Sequence, residues 1–191
     1  MFFNLPTLLT WARIVSIPLI VGIFYLDVSP PMRNLVATVL FIVVAITDWA
    51  DGYLARKLNM TSSFGAFLDP VADKILVCAS LLILLHEGRV DTFVALVIIG
   101  REIAISALRE WMSEIGARRK VAVSQLGKYK TILQIVGLSC MLFRWSLPIV
   151  PGISIPIFEI GLVLTVVAAV LTLISAITYL RAAWPDLRSP T

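Results

Sequence analysis

The chain has 191 residues, 59% of them hydrophobic and 15% charged, with a formal net charge of +4 and a mean hydropathy of +0.95. Hydropathy that high, carried in apolar runs of about 20 residues, excludes an ordinary soluble globular protein and indicates a polytopic membrane protein. About six spans of that length use up the chain, which excludes a separate soluble domain, so a single domain over residues 1–191 and an all-α class are expected, with no nucleic-acid partner.

The chain opens with "MFFNLPTLLTWARIVSIPLIVGIFYL". It lacks a basic leader and a small-residue cleavage site, and Arg13 interrupts the apolar run, so a retained helix over residues 7–26 is expected rather than a signal peptide. The breaker segment "DVSPPMRN" then leads to a second span at 34–57, and a polar stretch at 56–65 leads to a third at 67–86. His86 stands alone at that span's end, where an interfacial residue is expected before a ligand. "HEGRVD" precedes a fourth span at 91–114, and the polar segment 115–130 precedes a fifth at 126–145. "WSLPIVPGIS" separates it from a sixth at 154–181. Cys78 and Cys140 lie within apolar runs and read as small core or lipid-facing residues, not as a disulfide or metal pair. No internal repeat or low-complexity segment stands out.

Lysine and arginine set the orientation. The breaker loops hold Arg33, Arg89 and Arg144, whereas the other side holds Arg56, Lys57, Arg109, Arg118, Arg119, Lys120, Lys128, Lys130, Arg181 and Arg188. The richer side faces the cytoplasm, which puts both termini there.

Four of the twelve acids, Asp48, Asp51, Asp69 and Asp73, fall at the cytoplasmic ends of spans two and three. At about 100° per residue, Asp48, Asp51, Gly52 and Ala55 share one helix face with Arg56 at its border. Gly65, Asp69 and Asp73 follow one another at i+4 spacing. Pro70 either kinks that second helix or stands in its first turn with Asp69 as N-cap, and the sequence leaves both open. Four carboxylates at a membrane boundary repel one another unless cations neutralise them. An all-oxygen set favours hard ions such as Mg²⁺ or Mn²⁺, and four acids suit two ions about 3.5–4 Å apart, as in phosphoryl transfer. The small residues leave room for a bulky anion that Arg56 can pair with. A solvated loop with ordinary helix-end acids accounts for one such aspartate but not for four at helical spacing. The spacing also lacks the ligand pattern of a calcium loop. A transporter that binds cations on intramembrane acids is a remote alternative.

The pattern Asp48-x2-Asp51-Gly52-x2-Ala55-Arg56-x8-Gly65-x3-Asp69-x3-Asp73 resembles, without departure at its eight fixed identities, the signature of the CDP-alcohol phosphotransferases. That resemblance implies a membrane enzyme of six transmembrane helices, a homodimer, with an intramembrane cavity open to the cytoplasm. It transfers a phosphatidyl or related group from a CDP-linked donor to an alcohol and releases CMP. The resemblance also implies that Asp48, Asp51, Asp69 and Asp73 hold two divalent cations, Mg²⁺ or Mn²⁺, and that Asp73 is the general base. Gly52, Ala55, Arg56 and Gly65 correspond to the part that accommodates the CDP moiety.

Outside the signature, Arg101 lies near the middle of the fourth span, where an arginine is costly and marks a functional site by default. Arg109 lies two turns further on, and Lys128 and Lys130 open the fifth span in "GKYKT". Together they suit a basic pocket for a phosphorylated alcohol. The plainer alternatives are membrane-flanking anchors for the lysines and Arg109, and a structural pair with an acid such as Glu102 for Arg101. The stretches "NLPTLLTWAR", "REIAISALREW" and "GKYKT" are similar to the bacterial phosphatidylglycerophosphate synthases within that family. This similarity implies CDP-diacylglycerol and sn-glycerol 3-phosphate as substrates, the bacterial inner membrane and its lipid bilayer as surroundings, and a nucleotide-side role for Asn4, Thr7, Thr10 and Arg13. Sister enzymes acting on serine, inositol phosphate or phosphatidylglycerol remain the near alternative.

Overall fold

The computed structural model of the chain describes residues 5–58, 63–117, 125–150 and 153–188; side chains within 5–9, 48–58, 63–67, 125–126, 128, 149–150, 153 and 186–188 lie outside the description. The described residues form helices α1 (Leu5–Ile23), α2 (Pro30–Leu58), α3 (Ser63–His86), α4 (Thr92–Glu114), α5 (Gln125–Phe143) and α6 (Ile157–Arg188). Strands β1 (Leu147–Val150) and β2 (Ile153–Ile155) lie between α5 and α6. The fold is therefore mostly helical, in line with the hydropathy pattern.

Helix starts and stops follow local chemistry. Pro30 and Pro31 open α2, where missing N–H donors cost nothing, so this helix begins four residues before the expected 34. The Asp91 carboxylate caps α4 by accepting from the Phe93 N–H at 2.8 Å. Gly88 and Gly116 follow α3 and α4 with φ of 65° and 75°, conformations that glycine adopts without a Cβ penalty. Arg144 takes the same left-handed position after α5, with φ 68°, despite its side chain.

Two expectations are corrected. The segment "WSLPIVPGIS" is more than a breaker: Leu147 pairs with Ile155 and Pro148 with Ser154 in an antiparallel hairpin. The third helix starts at Ser63, before the expected 67, so Pro70 lies inside α3 and Asp69 is not its N-cap. The proline removes the helix hydrogen bond to the Ala66 carbonyl.

The α1 helix packs against both α2 and α3, α2 also against α5, and α6 against α5 and α4. Phe41, Leu81, Leu84, Ile98, Leu138, Met141 and Leu142 are fully buried and make the main core, while Ile105, Met112, Tyr179 and Ala183 join α4 to α6 in a smaller one. The α5–α6 crossing is close because both helices place glycine there. A Cβ on Gly161 would sit 2.7 Å from the Cys140 Cβ and 2.8 Å from the Gly137 carbonyl oxygen.

The outward surface is apolar. Val15, Leu19, Val43, Leu96, Ile103, Ile132 and Val163 are among many large exposed hydrophobic side chains. Among the described residues, Pro30–Thr47 and Ile157–Pro185 are each long and apolar enough to cross a bilayer, with mean hydropathies of 1.6 and 2.7. Only 28% and 33% of these stretches is buried within the protein, so most of their residues are at least partly open to the outside.

One end of the bundle is tied by a buried arginine. The Arg89 Nη2 donates to Asn34 Oδ1 at 2.8 Å and to Glu87 Oε2 at 2.9 Å, and its Nη1 donates to the Leu142 and Met141 carbonyls at 3.1 and 3.3 Å. These carbonyls belong to the last turn of α5, which has no intrahelical donors left for them. Arg33 shares Glu87 at 2.8 Å and lies over the Phe24 ring. Burial pulls the Arg89 guanidinium below its ordinary range, and Glu87 opposes that pull. At the same end, the exposed His86 stacks on Tyr25 with ring centroids 6.3 Å apart.

Candidate active site

The four aspartates divide between two helices. Asp48 and Asp51 lie in the C-terminal part of α2 with Gly52, Ala55 and Arg56, and Gly65 lies in the first turn of α3; the side chains of Asp48, Asp51, Ala55 and Arg56 lie outside the described residues. Asp69 and Asp73 are described, one turn apart on α3, and both are met by α1. Thr10 Oγ1 donates to Asp69 Oδ1 at 2.5 Å, and Arg13 Nη1 donates to Asp73 Oδ1 at 3.3 Å. Thr10 and Arg13 are three residues apart and so share a helix face. Both are almost wholly buried, at 1% and 2% exposed. Thr10 and Arg13, expected on the nucleotide side, are thus found holding the α3 carboxylates. Asn4 lies outside the described residues, as do the side chains of Thr7 and Lys128, although Thr7 is in α1 and Lys128 in α5.

The Asp73 side chain is 48% exposed although its partner Arg13 is buried, because it opens into a cavity of about 220 Å³. Phe41 and Ala45 of α2, Pro70, Lys74 and Val77 of α3, Glu102 of α4 and Thr131 and Gln134 of α5 also line it. A second cavity of about 270 Å³ adjoins it, lined by Lys74, Arg101, Glu102, Ser106, Arg109, Lys130 and Tyr179, among others. Pro70, Lys74, Glu102 and Thr131 belong to both linings.

The second cavity brings together three of the four expected acceptor residues, Arg101, Arg109 and Lys130, and adds Lys74. Among the described residues, four cations face one acid. Glu102 Oε1 accepts from Arg101 Nη1 at 3.0 Å and from Lys130 Nζ in a short contact, and Arg101 Nη2 donates to Ser175 Oγ of α6 at 3.1 Å. The structural pairing of Arg101 with Glu102 is therefore real, but it sits in the wall of a cavity. The Arg101 Nε remains buried without a partner among the described residues. Such a cluster suits a doubly charged phosphate, which needs several convergent donors.

Lys74 and Glu102 were both legible as charges in or beside apolar runs, Lys74 directly after Asp73, yet only the packing of α3, α4 and α5 shows that they line the same two cavities. Ser175 and Tyr179, an ordinary serine and tyrosine of the last helix, carry no sequence signal for this cavity.

Among the described residues no three acids, histidines or cysteines come together. The described pair still fits a hard divalent cation in kind. Asp69 and Asp73 offer carboxylate oxygen one turn apart, each with Oδ1 held by a donor from α1, the outer support that metal-binding carboxylates require.

A family model described as CDP-alcohol phosphatidyltransferase matches residues 3–181. Proteins from Escherichia coli (strain K12) and Shigella flexneri serotype 5b (strain 8401) are each 48% identical over 190 residues, covering 98% of this chain and 98% of their own length. Both are named CDP-diacylglycerol--glycerol-3-phosphate 3-phosphatidyltransferase.

Proposed function

The chain belongs to the CDP-alcohol phosphatidyltransferase family, and from that premise we propose that it moves the phosphatidyl group of CDP-diacylglycerol onto sn-glycerol 3-phosphate, giving phosphatidylglycerophosphate and CMP. The relatives' names and near full-length identity support the reaction. The observation that carries the acceptor is the shared wall between the Asp73 cavity and the cavity of Lys74, Arg101, Arg109 and Lys130. An alcohol with a phosphate a few bonds from its nucleophilic hydroxyl fits two such adjoining spaces. Serine has no phosphate to match the cations.

In this mechanism Arg101, Arg109, Lys130 and Lys74 bind the acceptor's phosphate, with Lys128, two residues before Lys130 on α5, as a further cation. Asp73, exposed in the cavity and held by Arg13, takes the proton of the primary hydroxyl. The hydroxyl oxygen forms a bond to the phosphorus attached to diacylglycerol, the bond from that phosphorus to CMP breaks, and CMP leaves. Gly52, Ala55 and Gly65 make room for the donor's nucleotide and Arg56 pairs with its phosphate. Asp48, Asp51, Asp69 and Asp73 would hold two divalent cations, Mg²⁺ or Mn²⁺, which when bound polarise the pyrophosphate and neutralise the carboxylates.

The chain acts as one domain over residues 1–191 with six spans, supported by the outward apolar surface of its helices. The site residues occupy the N-terminal halves of α1, α3 and α5 and the C-terminal parts of α2, α4 and α6, apart from the more central Arg101. Lysine and arginine concentrate at this end, so it faces the cytoplasm with both termini, in the bacterial inner membrane. The homodimer implied by the family is tested by the mass of the detergent-free particle in nanodiscs.

The deciding experiment measures CMP release from CDP-diacylglycerol by purified protein in detergent, with sn-glycerol 3-phosphate, serine, inositol phosphate or phosphatidylglycerol, and with Mg²⁺, Mn²⁺ or EDTA. Release with glycerol 3-phosphate and a divalent ion, lost in EDTA, is expected. Release with another alcohol alone would overturn the acceptor, and no release with any would overturn the reaction.

A further inference from the structure

Among the described residues, Glu102 is the one acid whose side chain lines both cavities, with Asp73 on one side and the cations on the other. Its partly buried side chain, 19% exposed, uses Oε1 to accept from Arg101 and from Lys130. No described donor meets Oε2. A carboxylate beside a phosphate pocket has two physical consequences. It holds two of the cations in place, and it repels an anion from its own position, so the phosphate is directed to the Arg109 end. An acceptor whose phosphate lies among the cations and whose attacking hydroxyl reaches Asp73 passes its middle atoms across Glu102. A carboxylate accepts hydrogen bonds and cannot donate them, so it is satisfied there by a hydroxyl and by no methylene.

We propose, on the basis of the reaction assigned above, that Glu102 is a specificity-determining residue that accepts a hydrogen bond from the central hydroxyl of the acceptor. Its grip on Lys130 and Arg101 serves every phosphorylated acceptor, whereas the hydroxyl contact serves only one that carries the central hydroxyl.

The test compares kcat/KM for sn-glycerol 3-phosphate and for 3-hydroxypropyl phosphate, which lacks only that hydroxyl, by CMP release in wild type, Glu102→Gln and Glu102→Ala. The wild type is expected to prefer glycerol 3-phosphate about 10- to 100-fold, as for a hydrogen bond to a charged group. Glu102→Ala brings the ratio near one. Glu102→Gln, which keeps the shape and a neutral acceptor oxygen, lowers the ratio without abolishing it and guards against misfolding of the alanine variant. KM for CDP-diacylglycerol stays unchanged in both. An undiminished preference in either variant, or a wild-type ratio near one, overturns the role of Glu102 while leaving the reaction standing. Wild-type protein that releases no CMP with glycerol 3-phosphate overturns the reaction itself.

Discussion

Arg13 of α1 donates through Nη1 to Asp73 Oδ1 of α3 at 3.3 Å, across 60 residues of chain. The arginine is buried and the carboxylate is open to the cavity, so a helix that contributes no acid to the site aims the carboxylate proposed as its base. Removing such an outer support typically costs about 10- to 100-fold in metal affinity or activity. Arg13→Ala is expected to lower CMP release by that factor and to raise the Mn²⁺ concentration for half-maximal rate. Arg13→Lys, with a point charge on a shorter reach, recovers part of it. A Mn²⁺ titration equal to wild type in Arg13→Ala would remove the supporting role.

Asp73→Asn separates chemistry from folding. The side chain is half exposed and the amide oxygen can still accept from Arg13, so thermal unfolding in detergent is expected to shift little. Loss of the base lowers kcat by about 10²- to 10⁴-fold. Near wild-type CMP release would exclude Asp73 as the base.

Lys74 touches both cavities, so its loss falls on the acceptor first. Lys74→Met keeps the apolar stem and removes the charge. KM for glycerol 3-phosphate is expected to rise about tenfold, the worth of one charged hydrogen bond, while KM for CDP-diacylglycerol changes less. An equal rise in both would place Lys74 on the donor.

The helices were legible because apolar runs carry their own ends: all six begin within about four residues of the expected starts, and five of the six also finish within about four of the expected ends, α6 running on to Arg188. The signature aspartates were legible through fixed spacing, and Arg101 through the cost of charge in an apolar run. Tertiary partners were not. Thr10 and Arg13 carried a nucleotide-side role by family similarity, and nothing local says that α1 lies against α3. Pro151 and Gly152 between β-branched residues are a turn signal, but strands as short as Leu147–Val150 and Ile153–Ile155 hide within a breaker segment. Gly137 and Gly161 looked like any glycines of a membrane helix until their helices were seen to cross there.

That crossing makes a stability prediction independent of catalysis. A Cβ at Gly161 would meet backbone atoms, the Gly137 carbonyl oxygen at 2.8 Å and the Met141 nitrogen at 2.9 Å, which cannot swing aside. At Gly137 the closest atom is the Thr165 Oγ1 at 2.6 Å, the end of a side chain, with the Thr165 nitrogen at 3.0 Å. Gly161→Ala is expected to cost about 1–3 kcal/mol, the usual range for overpacking, and Gly137→Ala somewhat less. Thermal unfolding in detergent measures both; an unchanged midpoint for Gly161→Ala would mean that the helices do not approach so closely.

Arg89 offers the converse case, a buried charge far from the aspartates that serves the fold. Its two terminal nitrogens satisfy Asn34, Glu87 and the last carbonyls of α5, joining the start of α2, the α3–α4 loop and the end of α5. Arg89→Met leaves Glu87 with Arg33 alone and strands the carbonyls, and breaking a buried pair of this kind costs about 3–5 kcal/mol. Adding Glu87→Gln costs less in this background than in wild type, because its bond to Arg89 is already gone and only that to Arg33 is lost, so the two changes are less than additive. Because Arg89 touches neither cavity, kcat per folded molecule should stay within about twofold of wild type at a temperature well below the lowered midpoint. A strong fall in kcat with the protein still folded would show that this end of the bundle is coupled to the site rather than merely holding the helices together.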